Sequence, residues 1–521
     1  MKYKYSQLDR DNLAWFANDM TKASLSGLAL TRGNLRSLSP FRIHFEYPIS
    51  VIAGLNRSGK STILAMVSCA FHNFNDGFKL PERSLPYYTF SDFFIQTSEE
   101  VPPEGIAVWY RIKHNNWKKS HRAPNGIGEL WQTRAKKRGG KWSWYARRAK
   151  RNVIFFGIQR VVPPSEKSVS KSYKAYFSIG APAGWENDVK KIVGRILGTE
   201  YDSFWMKKHG KYRLPLVAAC GSVYSGFNMG AGENALFEIF FTIYASPPGT
   251  LLVIDEIELG LHESAQKKLI SELKRICKER QIQVICTTHS AAILGSVPPE
   301  GRFFVECFPG KTTIIPGISP QYAVGKLSGE KSNELDIYVE DGIASHIIEA
   351  FLKNDIRRRI SIIPIGSSIA IIRQMAGRYK HRRKAECIAI MDGDQSELIE
   401  QHTDQFIKAL EISKDREKEI QWFQDRLAFL PGKTWPEKWI MQTIKSLDLT
   451  NLAISFGTTK EELYTYISEA SGAGKDNEFY ILAKNLSLDI QNVCSMVARW
   501  FSENTPNEFS QLNETIKSLL P

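Results

Sequence analysis

One short segment, Gly54-Leu-Asn-Arg-Ser-Gly59-Lys60-Ser61, constrains this chain more than any other. It fits the spacing G-x-x-x-x-G-K-[ST]. An apolar run, Ile49–Ala53, precedes it, and a helical run, TILAMVSCAF, follows it. Glycines at those positions let backbone N–H groups wrap phosphate oxygens, and the following helix adds the positive end of its dipole. The spacing predicts strand, loop and helix in that order. Lys60 is expected to reach the β- and γ-phosphates of ATP and Ser61 to ligate Mg2+. Gly54, Asn56, Ser58, Gly59, Lys60, Ser61 and Thr62 are the candidate nucleotide-binding residues.

Two further apolar runs end in residues that suit this chemistry. Leu251–Ile254 leads into Asp255-Glu256, and Gln283–Thr287 leads into Thr288-His289-Ser290. With Ile49–Ala53 and Val153–Phe156 these read as strands of a parallel sheet, some apolar nearly throughout because both faces are buried. Asp255 is expected to hold Mg2+. Glu256 is expected to polarise the attacking water, and His289 to sense the γ-phosphate.

The fold class is α/β, in two parts. Residues 1–325 form the nucleotide domain, residues 326–334 read as a Gly/Ser/Lys-rich linker, 335–440 form a second α/β unit and 441–521 a helical region. In the second unit, strands are expected at Asp336–Glu340, Ile360–Ile365 and Glu386–Met391, with helices at Ala344–Lys353 and Ser367–Tyr379. Glu340 ends the first strand, Gly366 follows the second, and Asp392-Gly-Asp394 follows the third. Acids gathered at the C-terminal ends of parallel strands repel unless a cation neutralises them. Oxygen ligands favour Mg2+ or Mn2+, which can activate water beside a phosphate.

Charge supplies a third signal. The 521 residues carry 69 Lys and Arg against 55 Asp and Glu, a net of +14, and residues 111–151 hold fourteen of the basic groups with one acid, Glu129. The stretch from about 100 to 152 reads as an insertion. Its cations alternate with Trp117, Trp131, Trp142, Trp144 and Tyr145, so phosphate contact and base stacking are both within its chemistry. Lys118, Lys119, Arg122, Arg134, Lys136, Lys137, Arg138, Lys141, Arg147 and Arg148 are the candidate nucleic-acid contacts. Seven scattered cysteines without CxxC spacing argue against a disulfide framework and for the cytoplasm. No apolar run approaches the ~20 residues of a membrane span.

The order of phosphate loop, GAGEN (230–234), LLVIDEIELGLH (251–262) and TTHS (287–290) resembles an ABC-type ATPase, of the subgroup shared with SMC proteins and OLD-family nucleases. The resemblance implies a head-to-tail homodimer in which Gly230, Gly232 and Glu233 dock on ATP bound to the partner. It also departs from the family pattern, because Gly230 stands where the signature usually has Ser. Asn228 or Ser225 could substitute for that hydroxyl, and Gln96 and Gln159 are alternatives for the Q-loop glutamine.

The second unit resembles a TOPRIM domain, with Glu340 as the family's Glu and Asp392 and Asp394 as its DxD. OLD-type TOPRIM domains place a further acid and a lysine downstream. That implies Glu437 as a second metal ligand, and Lys433 or Lys438 on the scissile phosphate. Together the resemblances imply an ATP-dependent nuclease that cuts DNA, or alternatively RNA such as tRNA, in bacterial defence against phage. Gabija systems and retrons with OLD-type effectors are examples. A higher oligomer, a partner defence protein, or a retron reverse transcriptase with its msDNA would be in keeping. The competing expectation is an SMC-like repair or sensor ATPase whose TOPRIM fold is inactive.

Overall fold

A computed structural model describes residues 3–100, 103–137, 142, 148–166, 172–308, 310–328, 333–380, 386–410, 415–475 and 477–520. The chain divides into two compact units, Tyr3–Glu330 and, apart from the first two residues, Lys331–Pro521. Among the described residues no helix is long and apolar enough to cross a membrane.

The first unit holds strands β1 (Ser24–Arg32), β2 (Phe41–His44), β3 (Ile49–Gly54), β4 (Ile106–His114), β5 (Gly128–Lys136), β6 (Val153–Phe156) and β7 (Ser178–Ile179). It continues with β8 (Ser203–His209), β9 (Tyr212–Ala219), β10 (Ser222–Ser225), β11 (Leu251–Ile254), β12 (Gln283–Thr287), β13 (Arg302–Phe308) and β14 (Lys311–Pro316). Its central sheet has the order β14-β13-β3-β12-β11-β6 and is parallel except for β14.

Successive residues of these strands face opposite cores, as the period of two requires. Val51, Ala53, Leu252 and Ile254 pack under the helices Glu186–Leu197, Ala231–Ala245 and Glu263–Arg280. Ile52, Leu251, Val253 and Ile285 pack under the helix Lys60–Ser68 and an antiparallel sheet of order β2-β1-β4-β5. Burial on both faces is why the central strands are apolar without alternation.

The antiparallel sheet corrects one expectation. The stretch 100–152 is not an appendage along its first part, because β4 and β5 pair with each other and β4 pairs with β1. Ile106, Val108, Tyr110 and Ile112 alternate into the core, and Trp109 and Arg111 between them are more exposed. A count of charges hides that alternation. Residues 143–147 and the Gly139-Gly140 turn lie outside the described residues. A second antiparallel sheet, of order β10-β9-β8-β7, precedes the helix Ala231–Ala245.

The second unit has strands β15 (Leu335–Val339), β16 (Ile360–Pro364), β17 (Glu386–Met391) and β18 (Leu427–Phe429), all parallel, in the order β16-β15-β17-β18. The helical region is continuous with this sheet rather than a separate body. Leu335, Ile337 and Val339 share one core with Ile440, Leu463, Val497, Phe501 and Ile516. The helix Gly342–Phe351 has an apolar face that the helix Ile490–Asn504 covers. In the expected linker, the helix Pro320–Ser328 runs past residue 326, anchored in the first unit's core by Tyr322 and Ala323.

Candidate functional sites

In the first unit β3 ends at Gly54, and the loop turns over Gly59 into the helix Lys60–Ser68. Both glycines are sterically required. A Cβ at Gly59, where φ is +90°, would lie 2.3 Å from Leu38 Cδ2, and one at Gly54 would lie 2.5 Å from the Val305 carbonyl. Lys60 is buried and its Nζ donates to the carbonyls of Gly54 (2.8 Å) and Leu55 (3.0 Å), which closes the loop on itself. Burial holds its ammonium below the ordinary lysine range, and Glu256, Asp255 and Glu258 oppose that shift. Asn56 and Ser61 are exposed, Thr62 is buried, and the Ser58 hydroxyl is buried without a hydrogen-bond partner.

The acids after β11 face this loop. Asp255 Oδ1 accepts from Thr287 Oγ1 (2.5 Å) and Ser61 Oγ (3.4 Å), so the loop serine and the strand-end aspartate share one place. Glu256 is held with φ at +47°, a conformation that costs a non-glycine residue about 1 kcal/mol or more. Two contacts impose it. Its N–H donates to Thr287 Oγ1 at 2.7 Å, and Arg160 donates to the carbonyls of Asp255 (2.6 Å) and Glu256 (2.5 Å). Arg160 is buried and follows Gln159 in the turn after β6. Glu258 accepts from Thr288 Oγ1 (2.7 Å) and from the N–H of His289 (2.6 Å), tying the segment after β12 to the segment after β11. Sequence reasoning missed Arg160 and Glu258. The run Asp-Glu-Ile-Glu carried a signal for the second, and nothing in the sequence singled out the first.

Gly230 caps the helix Ala231–Ala245, and a Cβ there meets nothing within 4 Å. Gly232 is different, since a Cβ would lie 2.1 Å from the Gly260 carbonyl. The Glu233 carboxylate accepts from the hydroxyls of Tyr201 (2.7 Å) and Tyr224 (2.9 Å).

Among the expected nucleic-acid contacts, Lys118, Lys119, Arg122 and Lys137 are exposed and Lys136 half-buried. Arg134 and Arg148 are corrections, because both side chains turn inward. Arg134 is 1% exposed and donates to Thr133 O and Gln132 Oε1, and Arg148 donates to the carbonyls of Cys69 and Tyr88. Trp142 stacks on Phe90 at 3.8 Å, and Trp117 donates to Gly128 O, so these two rings serve the fold. Trp131 stays outward, beside Trp109. Arg138, Lys141, Arg147, Trp144 and Tyr145 lie outside the described residues.

In the second unit Glu340 follows β15, Gly366 follows β16 and Asp392 to Asp394 follow β17. Glu340 Oε1 accepts from the N–H of Asp392 at 3.4 Å. The glycine between the two aspartates is required, because a Cβ at Gly393 would lie 2.2 Å from the Gly432 carbonyl. That contact carries the loop after β18 against the aspartates and brings buried Glu437 within electrostatic range of Asp392. Burial pushes the Asp392 carboxyl up to about 8, and Glu340, Asp341, Glu437 and Asp394 push the same way. Burial raises Glu340 as well, with Asp394 and Asp341 adding to it. Asp392 Oδ1 is buried without a hydrogen-bond partner.

Lys433 is exposed and Lys438 lies over the Trp435 ring. The cation beside the acids is Lys475, 3.5 Å from Asp394, which sequence reasoning missed because it lies in the helical region. Among the described residues no group of three His, Cys, Asp or Glu side chains is placed to hold a metal ion as it stands. The donor set still fits a hard cation. It is all oxygen, its charges are mutually unfavourable, and Asp392 presents a buried oxygen in need of a partner.

Residues 225–295 match the family model described as "AAA domain, putative AbiEii toxin, Type IV TA system". The matched residues run from the end of β10 through Gly230–Asn234 and β11 to the segment after β12, and they do not include the phosphate loop. No curated protein matches the sequence. Among solved structures, the SMC head domain from Thermotoga maritima is similar at 17% identity over 56% of this chain and 98% of that one, with a TM-score of 0.34. An Smc head from Pyrococcus furiosus, bound to the C-terminal domain of ScpA, is similar at 12% identity over 56% and 96%, with a TM-score of 0.35. The C-terminal region of the OLD protein of Xanthomonas campestris pv. campestris is similar at 12% identity over 36% and 94%, with a TM-score of 0.26.

Proposed function

We propose that this protein is a cytoplasmic ATP-dependent nuclease of OLD type, acting on DNA in bacterial defence. The observation that carries the nuclease reading is the acidic cluster of the second unit. Glu340, Asp392 and Asp394 follow adjacent parallel strands, Glu437 lies within electrostatic range, and Lys475 stands beside Asp394. The acids are those that the TOPRIM resemblance implies, whereas the lysine it implies was Lys433 or Lys438 and not Lys475. A bound Mg2+ or Mn2+ would supply a Lewis acid for phosphodiester hydrolysis. Glu340, Asp392 and Asp394 would hold it with Glu437 behind them, and Lys475 would meet the negative charge of the phosphate.

The first unit would bind ATP through Lys60 and Ser61, with Asp255 beside the cation and Glu256 aimed at the attacking water. Gly230 and the following helix would complete the site of a second copy, making the active form a homodimer. The defence role rests on the sequence resemblance, and the toxin family matched at residues 225–295 is in keeping with it.

Plasmid nicking in Mg2+ tests the reading. Wild type is expected to relax supercoiled DNA, and Asp392→Ala to lose at least about a hundredfold of that rate. The same assay on folded RNA decides the substrate. One observation favours a second reading, an ATPase whose second fold is inactive, since the acids do not converge into a chelate as they stand. Failure of wild type to cut either polymer would select it.

A further inference from the structure

The antiparallel sheet β7 to β10 carries a cluster that neither nucleotide nor metal chemistry uses. At its hairpin end the rings of Tyr173, Tyr176, His209 and Tyr212 gather together. Tyr173 lies 4.6 Å from His209 and 5.8 Å from Tyr212, nearly parallel to the latter, and Tyr176 lies 5.6 Å from His209. The rings are not hidden, since Tyr176 is 66% exposed and Tyr173 37%. Cations are frequent in the same segments, although the Lys208 ammonium stands over Phe241, 5.8 Å from that ring. Residues 172–179 and 203–213 contain Lys174, Lys207, Lys208, Lys211 and Arg213 and no acid. Lys211 Nζ stands 5.7 Å from the Tyr212 ring, and among the described residues Arg213 is the one of the five that makes an ion pair, with Glu238 at 3.8 Å.

Exposed aromatic faces among ammonium groups suit a ligand with negative charge and flat rings in alternation. A second copy of the surface would set lysine against lysine. An acidic protein segment would use the lysines and leave the rings idle. Duplex DNA keeps its bases stacked inside, so only its phosphates would engage. An unpaired strand uses both features, with phosphates on the lysines and bases on the tyrosines.

We propose that the β8–β9 hairpin end and the adjoining Tyr173–Tyr176 turn form a docking surface for single-stranded nucleic acid, separate from the exposed cations between β4 and β5 and independent of the nuclease reading. The test uses the full chain and an iodouracil-substituted oligothymidine. Light-induced cross-links are expected on Tyr173, Tyr176 or Tyr212. The pair Tyr173→Ala and Tyr176→Ala is expected to weaken oligothymidine binding by about tenfold or more at an unchanged salt slope, and the matching Phe pair to bind like wild type. Lys207→Gln, Lys208→Gln and Lys211→Gln together are expected to lower the salt slope by about two. Cross-links confined to residues 106–137, or an alanine pair that binds like wild type, would overturn the proposal while leaving the nuclease reading intact.

Discussion

The two units hold their acids in opposite ways. Beside the phosphate loop, protein groups answer the carboxylates: Thr287 and Ser61 donate to Asp255, and Thr288 and the His289 N–H donate to Glu258. At the end of β17 the Asp392 carboxyl is buried among Glu340, Asp341, Glu437 and Asp394, with one oxygen unpaired. The first site is a preorganised set of dipoles waiting for a ligand that brings its own charge and cation. The second crowds carboxyls that disfavour one another's charge, so Asp392 holds its proton near neutral pH until a cation favours the ionised form.

The largest expected effect sharpens the first half of this contrast. Glu256→Gln keeps the size of the side chain and leaves the backbone contacts in place, and it removes the basicity. ATP hydrolysis is expected to fall about a hundredfold or more while ATP still binds. Hydrolysis at the wild-type rate would remove Glu256 from the reaction. Next comes Arg160, which fixes the backbone of Glu256 through the carbonyls of Asp255 and Glu256. Arg160→Ala is expected to lower kcat about tenfold and to leave ATP affinity nearly unchanged, because only the orientation of the acid is lost. An equal loss of affinity would mean that Arg160 shapes the binding loop instead.

The second half of the contrast is tested by pH. Asp392 titrates near 8 in the fold and near the ordinary aspartate value of about 4 when unfolded, so folding favours its protonated form. Its contribution to stability is therefore present below about pH 4, declines as pH rises, and is lost above about 8. Mg2+ binds the ionised form. It is expected to raise the melting temperature by a few degrees at pH 8 and by less at pH 6. An equal rise at both values would place the cation elsewhere. The smallest effect is expected at Gly230. Gly230→Ser adds a side chain into open space and should change stability by less than about 0.5 kcal/mol. A large loss would mean that the helix start is more crowded than its geometry indicates.

Much of this was readable from the sequence where chemistry and periodicity coincide. The phosphate loop, the apolar strands β3, β11 and β12, and the acids after β15 and β17 each announce themselves within about ten residues. What escaped depended on distance or direction. Lys475 lies eighty-one residues past Asp394, in a helical region that shares its core with the sheet. Arg160 acts through backbone carbonyls, which leave no trace in a residue pattern. Arg134 and Arg148 belong to a strongly basic stretch, yet strand alternation and backbone carbonyls draw both inward. The tyrosines of the β8–β9 end are spread over forty residues and meet only when the sheet forms.

The contrast between the two sites reduces to whether the second unit takes up a divalent cation without nucleotide. Calorimetric titration of the full-length protein with Mn2+, in the absence of ATP, measures this directly. Wild type is expected to bind Mn2+ with uptake that strengthens from pH 6 to pH 8, and Asp392→Ala to show none of that heat. Identical titrations for the two proteins, or no binding by wild type at pH 8, would contradict a cation site at Glu340, Asp392 and Asp394.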